Sequence, residues 1–146
     1  MFGMKYPTED LLDEVRLLWH VMNRSAARLH RHESVTLGMR GVLELVLRQG
    51  PATVPHVARS RHVTRQHIQG LVNALLKLKL VELGTNPAHR RSPLVQLTPA
   101  GRKTIDRMKQ REDRLLSRID SGRDPKKFRR AADVLRGVRR ALEETE

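Results

Sequence analysis

The segment "NPAHRRSPLVQLTPAG", residues 86–101, places two adjacent arginines in a short loop between prolines. The alternating apolar residues that follow it, and the run "LVELGT" before it, predict two short strands. Arg90 and Arg91 are therefore expected at the tip of a β-hairpin. Guanidinium groups at such a tip can bind phosphates or enter the minor groove of duplex DNA. The alternative is that they are solvated charges that only keep the surface soluble.

A second set of polar residues lies in "VTRQHIQGLVNALLKLKL", which predicts a helix capped by Thr64. If the apolar residues of this segment face inward, helical geometry turns a polar face outward. Arginine can pair with guanine, and glutamine or asparagine with adenine, in the major groove of DNA. The residues predicted for this base-reading face are Arg65, Gln66, Gln69, Gly70 and Asn73, with His67 at its edge.

Gly70 is unusual inside a helix because glycine costs about 1 kcal/mol relative to alanine there. One interpretation is that the missing side chain allows the helix to approach the groove more closely. The other is that Gly70 has no function on a solvated face. The sequence alone leaves both open.

The composition limits the kind of partner. The chain has 29 Lys and Arg against 16 Asp and Glu, a net charge of +13, which favours a polyanion. With only two Phe, one Trp and one Tyr, it has few rings for stacking on single-stranded bases. The absence of cysteine excludes disulfides and thiolate metal sites. No cofactor is expected, and no phosphate loop or acid pair indicates an enzyme.

The elements that position these residues are mainly helices. Thr8, Thr53 and Thr98 are predicted N-caps, Pro55 and Pro99 lie in first turns, and Gly50 ends the second helix. The predicted fold is mainly α with a small β-hairpin wing. No apolar run is long enough to span a membrane, so a cytoplasmic protein without a membrane partner is expected.

We expect one domain over residues 1–146. It would comprise a winged helix-turn-helix over about 36–97 and a helical dimerisation lobe from helices at about 8–33 and 98–143. The long terminal helices carry apolar stripes that need a partner. A second copy of the chain is the simplest partner, and packing within one chain is the alternative.

These motifs resemble the multiple-antibiotic-resistance regulator (MarR) family of winged helix-turn-helix transcription regulators. Val57-Ala58 matches the family's Leu-Ala, and the segment from residue 86 is similar to its wing motif DPxDRRxxxVxLTxxG. Asn86 and His89 replace the two wing aspartates, the second of which pairs in the family with the arginine two residues on, here Arg91. His62 and Lys79 stand where the family usually has glycine.

The resemblance implies a homodimeric, ligand-responsive repressor of transcription that binds double-stranded DNA at a pseudo-palindromic operator. An effector-independent, architectural DNA-binding protein is the alternative. The implied DNA contacts include Thr64 and the outward face of its helix, and the wing residues His89, Arg90 and Arg91. The implied effector is a small anionic aromatic or lipophilic molecule. Its suggested lining, which ordinary core or dimer packing would equally explain, is Trp19, His20, Met22, Arg24 and Met39.

A metal site is the remaining candidate, because the chain has seven histidines. The best cluster is His30, His32 and Glu33, at the predicted end of the first helix. Residues two apart do not share a helix face. We therefore expect a surface histidine pair and no bound metal.

Overall fold

The computed structural model describes residues 6–145, which form six helices and a two-stranded antiparallel sheet. The predicted fold class, mainly α with a β-hairpin wing, is confirmed. None of the helices in this part of the chain has the length and apolar character to cross a membrane. The elements are α1 (Pro7–Leu29), α2 (Leu37–Gln49), α3 (Val54–Ser60), α4 (Arg65–Lys77), β1 (Val81–Gly84), β2 (Leu94–Leu97), α5 (Pro99–Asp120) and α6 (Pro125–Glu143).

Threonine hydroxyls define where several of the helices begin. The Thr53 hydroxyl accepts from the backbone N–H of His56 at 3.3 Å, and that of Thr64 accepts from His67 at 3.1 Å. Thr98 likewise accepts from Gly101 at 3.0 Å, with Pro99 as the first residue of α5. These predicted caps are confirmed, and they fix the chain directions entering α3, α4 and α5.

The first helix begins differently from its prediction. Pro7 is its first residue and Tyr6 its N-cap, with no capping side-chain hydrogen bond. The predicted cap Thr8 is wrong, because it already lies inside the first turn. Proline suits that first position since its φ is fixed near the helical value and its missing N–H would have no partner there.

Chain contacts divide the molecule into two compact units, Met1–Lys109 and Gln110–Glu146. The first unit holds the hydrophobic core, formed by α2, α3, α4, the hairpin and the first half of α5. Its fully buried side chains include Leu43, Val57, Ile68, Val95 and Ile105. This core fixes the helices and strands that carry the predicted DNA-contacting residues.

Other helices of the chain expose apolar side chains. No residue of α1 is buried, and Leu18, Trp19 and Met22 are more than half exposed. In the second unit, α6 also has no buried residue and exposes Phe128 and Leu142. Apolar stripes of this length are unusual on a monomer surface and mark an interaction site.

The hairpin is short and is attached to the helix-turn-helix. Val81 pairs with Leu97 and Gly84 with Leu94. Ala52, which precedes α3, exchanges two backbone hydrogen bonds with Val95 of β2, at 3.1 and 2.8 Å. The wing is therefore tied to the chain that enters α3.

Candidate nucleic-acid interface

The helix-turn-helix consists of α3, a four-residue turn and α4. Val57 and Ala58 of α3 and Ile68 and Val72 of α4 are all buried, and the two helices are in contact. His62 in the turn has φ 53°, a left-handed conformation that is strained for a residue with a side chain. This agrees with its position in place of the family's usual glycine.

The arginine before His62 is accommodated by a glycine on the neighbouring helix. The Arg61 guanidinium lies against buried Gly41 of α2, where a Cβ atom would overlap it. Gly41 thus makes room for a cation in the turn before α4. Neither Arg61 nor Gly41 was among the residues predicted from the sequence.

The outward face of α4 has the geometry that helical periodicity predicts. Ile68, Val72 and Leu75 are buried, whereas Arg65, Gln66, His67, Gln69 and Asn73 are exposed. The Gln69 amide donates to the Asn73 side-chain oxygen at 3.0 Å, so these two amides orient one another. A Cβ atom at Gly70 would meet nothing within 4 Å, so no packing inside the chain explains that glycine.

The wing loop carries its two arginines as free cations. Arg90 and Arg91 are exposed, and within residues 6–145 neither pairs with a carboxylate. His89 is also exposed and contributes its backbone to the turns of the loop. Where the family has an aspartate beside Arg91, this wing therefore has no acidic brace, and its full positive charge faces solvent.

Helix α4 and the wing lie together along one groove of about 310 Å³. Its lining includes the predicted residues Arg65, Gln66 and Gln69 from α4 and Arg91 from the wing. The remaining predicted residues lie outside this lining. On α4 they are the N-cap Thr64 and the exposed His67, Gly70 and Asn73, and in the exposed wing loop they are His89 and Arg90. The apolar residues that sequence reasoning did not assign to the groove are Val54, Pro55, Leu83 and Pro93.

Helix α2 carries one carboxylate, Glu44, close to several cations. Burial tends to raise the pKa of Glu44, but a hydrogen bond from Arg40 and the positive charges of Arg40, Lys109 and Arg48 outweigh it and leave the pKa lowered. Arg40 Nη1 lies 2.6 Å from Glu44 Oε2. Glu44 therefore stays ionised and offsets part of the local positive charge.

The suggested effector residues are not gathered in one cavity. Trp19, His20, Met22 and Arg24 are exposed along α1, while Met39 of α2 is 5% exposed and belongs to the core. A different pocket, of about 490 Å³, lies between the end of α1, the start of α2 and Met108. Its polar lining includes Asn23, His30 and Glu33.

One side of this pocket is held by an ion pair. Arg107 of α5 donates to both carboxylate oxygens of Glu33, at 3.3 and 3.2 Å, and to the Thr104 hydroxyl at 3.3 Å. The Glu33 side chain is 11% exposed, whereas that of Arg107 is 51% exposed, so the carboxylate is largely covered and the guanidinium still reaches solvent. The pair joins α5 to the segment between α1 and α2, a long-range contact for which the sequence carries no signal.

The expected surface histidine pair is wrong for His30, which is 5% exposed. His30 caps α1 through a backbone hydrogen bond to Ala26 at 2.9 Å, and the chain turns there so that the ring packs inward. His32 is exposed and accepts from Arg31 Nε at 3.1 Å. In the part of the chain that the structure describes, no three His, Asp or Glu side chains are grouped for a metal ion.

Comparison with known proteins finds a match in the region that contains the helix-turn-helix and the wing loop. The sequence profile of the MarR family matches residues 40–92. An uncharacterised protein of Mycobacterium tuberculosis is 39% identical over 90 residues, which are 62% of this chain and 63% of the relative. This chain therefore spans less than two thirds of the length of the curated relatives that it matches.

Two solved structures extend the similarity over most of the chain. One is a MarR family transcription regulator, 26% identical, with a TM-score of 0.82 over 94% of this chain and 93% of that one. The other is BpsR of Bordetella bronchiseptica, whose DNA binding is regulated by 6-hydroxynicotinic acid. It is 21% identical, with a TM-score of 0.79 over 93% of this chain and 97% of its own, and this likeness concerns the fold.

Proposed function

Because this chain belongs to the MarR family of winged helix-turn-helix transcription regulators, we propose that it binds duplex DNA and represses transcription as a ligand-responsive homodimer. The observation that carries this proposal is the groove lined jointly by Arg65, Gln66 and Gln69 of α4 and by Arg91 of the wing. Base-reading side chains and a phosphate-binding cation are then presented on one face. This is the combination that positions a protein on DNA and reads its sequence.

The charge of the chain supports a nucleic-acid partner. The net charge of +13 favours association with a polyanion, and the exposed cations of the wing lie beside the helix that carries the base-reading amides. In this proposal α4 enters the major groove, and Arg90 and Arg91 contact phosphates or the adjacent minor groove. Thr64, His67, Gly70, Asn73 and His89 complete the proposed contact surface.

The proposed homodimer is supported by the exposed apolar side chains of the terminal helices. Leu18 and Trp19 on α1, and Phe128 and Leu142 on α6, are each 45–57% exposed, which is costly unless another surface covers them. Two copies related by a twofold axis would present two recognition helices to a pseudo-palindromic site. The mass in solution at micromolar concentration tests this: a monomer would overturn the two-half-site arrangement.

We place the effector in the pocket between α1, α2 and Met108 rather than along the exposed face of α1. Its volume of about 490 Å³ suits a small molecule, and its lining mixes apolar residues with His30 and Asn23. The regulation of BpsR by 6-hydroxynicotinic acid supports an aromatic acid as the class of effector. Binding there would bias the DNA-binding lobe through the Glu33–Arg107 pair.

A DNA-shift assay titrated with phenolic acids tests this placement. Ala27→Phe, which fills the pocket, should abolish the response to the acid and leave DNA binding intact. Arg24→Ala, a variant on the exposed face of α1 outside this pocket, serves as the matched control and should keep the response. Loss of the response in Arg24→Ala alone would instead locate the effector at the residues suggested from the sequence.

The charge distribution also favours a second function, an architectural DNA-binding protein without an effector. The wing arginines have no carboxylate partner among residues 6–145, and such a wing promotes sequence-blind binding. Footprinting of the chain's own upstream region near physiological salt separates the two functions. A discrete protected inverted repeat supports the regulator, whereas protection that grows evenly with DNA length supports the architectural protein.

A further inference from the structure

The wing loop consists of two consecutive turns that share His89. The Asn86 carbonyl accepts from the His89 N–H at 3.3 Å, and the His89 carbonyl accepts from the Ser92 N–H at 3.1 Å. Arg90 and Arg91 are the two central residues of the second turn. Their directions therefore depend on how the turn from His89 to Ser92 is held.

One side chain joins the two ends of this loop. The Asn86 side-chain oxygen accepts from the Ala88 N–H at 3.1 Å, and its side-chain nitrogen donates to the Ser92 carbonyl at 2.9 Å. The bond to the Ser92 carbonyl is partly buried, so water competes less for it than for a fully exposed hydrogen bond. The bridge closes the base of the loop, below the turn that carries the arginines.

We propose that Asn86 is a positioning residue for DNA binding, which holds Arg90 and Arg91 in their contact geometry without neutralising them. This inference rests on the proposed function. The bridge needs one acceptor and one donor on the same side chain, which an amide provides and an ionised carboxylate does not. An aspartate at this position would face the Ser92 carbonyl with another acceptor and would add a negative charge beside the arginines.

The Asn86 bridge takes over the orienting role that an aspartate beside Arg91 has in the family. With an aspartate at 89, an ion pair would orient Arg91 but offset its charge. Here the backbone of the turn is fixed instead, and both guanidinium groups keep their charge for phosphates. Asn86 and His89 thus differ from the family together: one holds the loop, and the other no longer pairs with Arg91.

The test measures affinity for a duplex of about 30 base pairs over a salt series by fluorescence anisotropy. Asn86→Ala should weaken binding about fivefold, the effect of one typical hydrogen bond. Asn86→Asp should weaken it further and flatten the salt dependence, because it adds a negative charge. In the chain that carries Arg90→Ala and Arg91→Ala, Asn86→Ala should have no further effect.

The chain that lacks both arginines distinguishes a role of Asn86 in positioning them from a general contribution of Asn86 to stability. Equal losses with and without the two arginines would overturn the inference, as would unchanged affinity in both Asn86 variants of the otherwise native chain. Failure of the native chain to bind duplex DNA at low salt would overturn the proposed function instead. Thermal melting verifies the fold of each variant. If Asn86→Ala does not fold, Asn86→Ser, which can keep the Ala88 bond without adding a charge, serves for the same comparison with and without the arginines.

Discussion

Gly101 in the first turn of α5 lies directly against the backbone carbonyl oxygen of Leu80, and a Cβ atom at position 101 would overlap it. The contact belongs to a junction in which Thr98 N–H donates to the same Leu80 carbonyl at 3.1 Å. The Thr98 hydroxyl also donates to the Lys79 carbonyl at 2.7 Å. The end of the wing is thereby fixed to the chain that leaves α4.

Gly101→Ala should therefore destabilise the chain, because backbone cannot move aside as a flexible side chain can. We expect the free energy of unfolding to fall by about 2–4 kcal/mol, measured by chemical denaturation. Gly70→Ala is the matched control, since position 70 is open, and it should raise stability by about 0.5–1 kcal/mol. Equal stabilities of the two variants would show that the Leu80 contact is not tight.

The junction illustrates what sequence patterns could predict. The caps Thr53, Thr64 and Thr98 were predictable because each hydroxyl accepts from an N–H only three residues on, within one local segment. The buried face of α4 was predictable because apolar periodicity determines which side of a helix packs inward.

Other contacts could not be predicted, because they join residues that lie far apart in the sequence. The Glu33–Arg107 pair and the Arg61–Gly41 contact join segments far apart in the chain, and only the tertiary fold defines them. The burial of His30 has the same origin, since it follows from the turn after α1. The Asn86 bridge was closer to prediction, because asparagine commonly bonds backbone two residues on in a turn.

We expect Arg91→Ala to lower the affinity for DNA regardless of the DNA sequence. Loss of this exposed cation should weaken binding to every duplex and reduce the slope of log affinity against log salt by about 1. Arg118→Ala removes an equal charge from the second unit and is the control, with little change expected. Affinity that Arg91→Ala leaves unchanged at every salt concentration would show that the wing does not contact DNA.

We expect the complementary effect from Gln66→Ala, a change in base preference and not in salt dependence. Gln66 is exposed at the start of α4 and lines the groove, so Gln66→Ala should relax the base preference at one position by about 1–3 kcal/mol. The salt dependence should stay as it is, because no charge changes. Selection from a randomised duplex library measures this preference, with Gln110→Ala as the control. A uniform loss over all sequences would instead indicate that Gln66 contacts the backbone of DNA.

The lowered pKa of Glu44 leads to an expected pH dependence of the free energy of unfolding. Its folded-state pKa is lowered from the usual 4.5, so its contribution to stability is present above that value and is lost as the pH falls through the folded pKa. Between neutral pH and about pH 3 the native chain should lose more stability than Glu44→Gln, which does not titrate. The side chain is 28% exposed, so the expected difference is only about 0.5–1 kcal/mol. Denaturation at a series of pH values measures it, and parallel curves for the two proteins would show that the Arg40–Glu44 pair contributes nothing to stability.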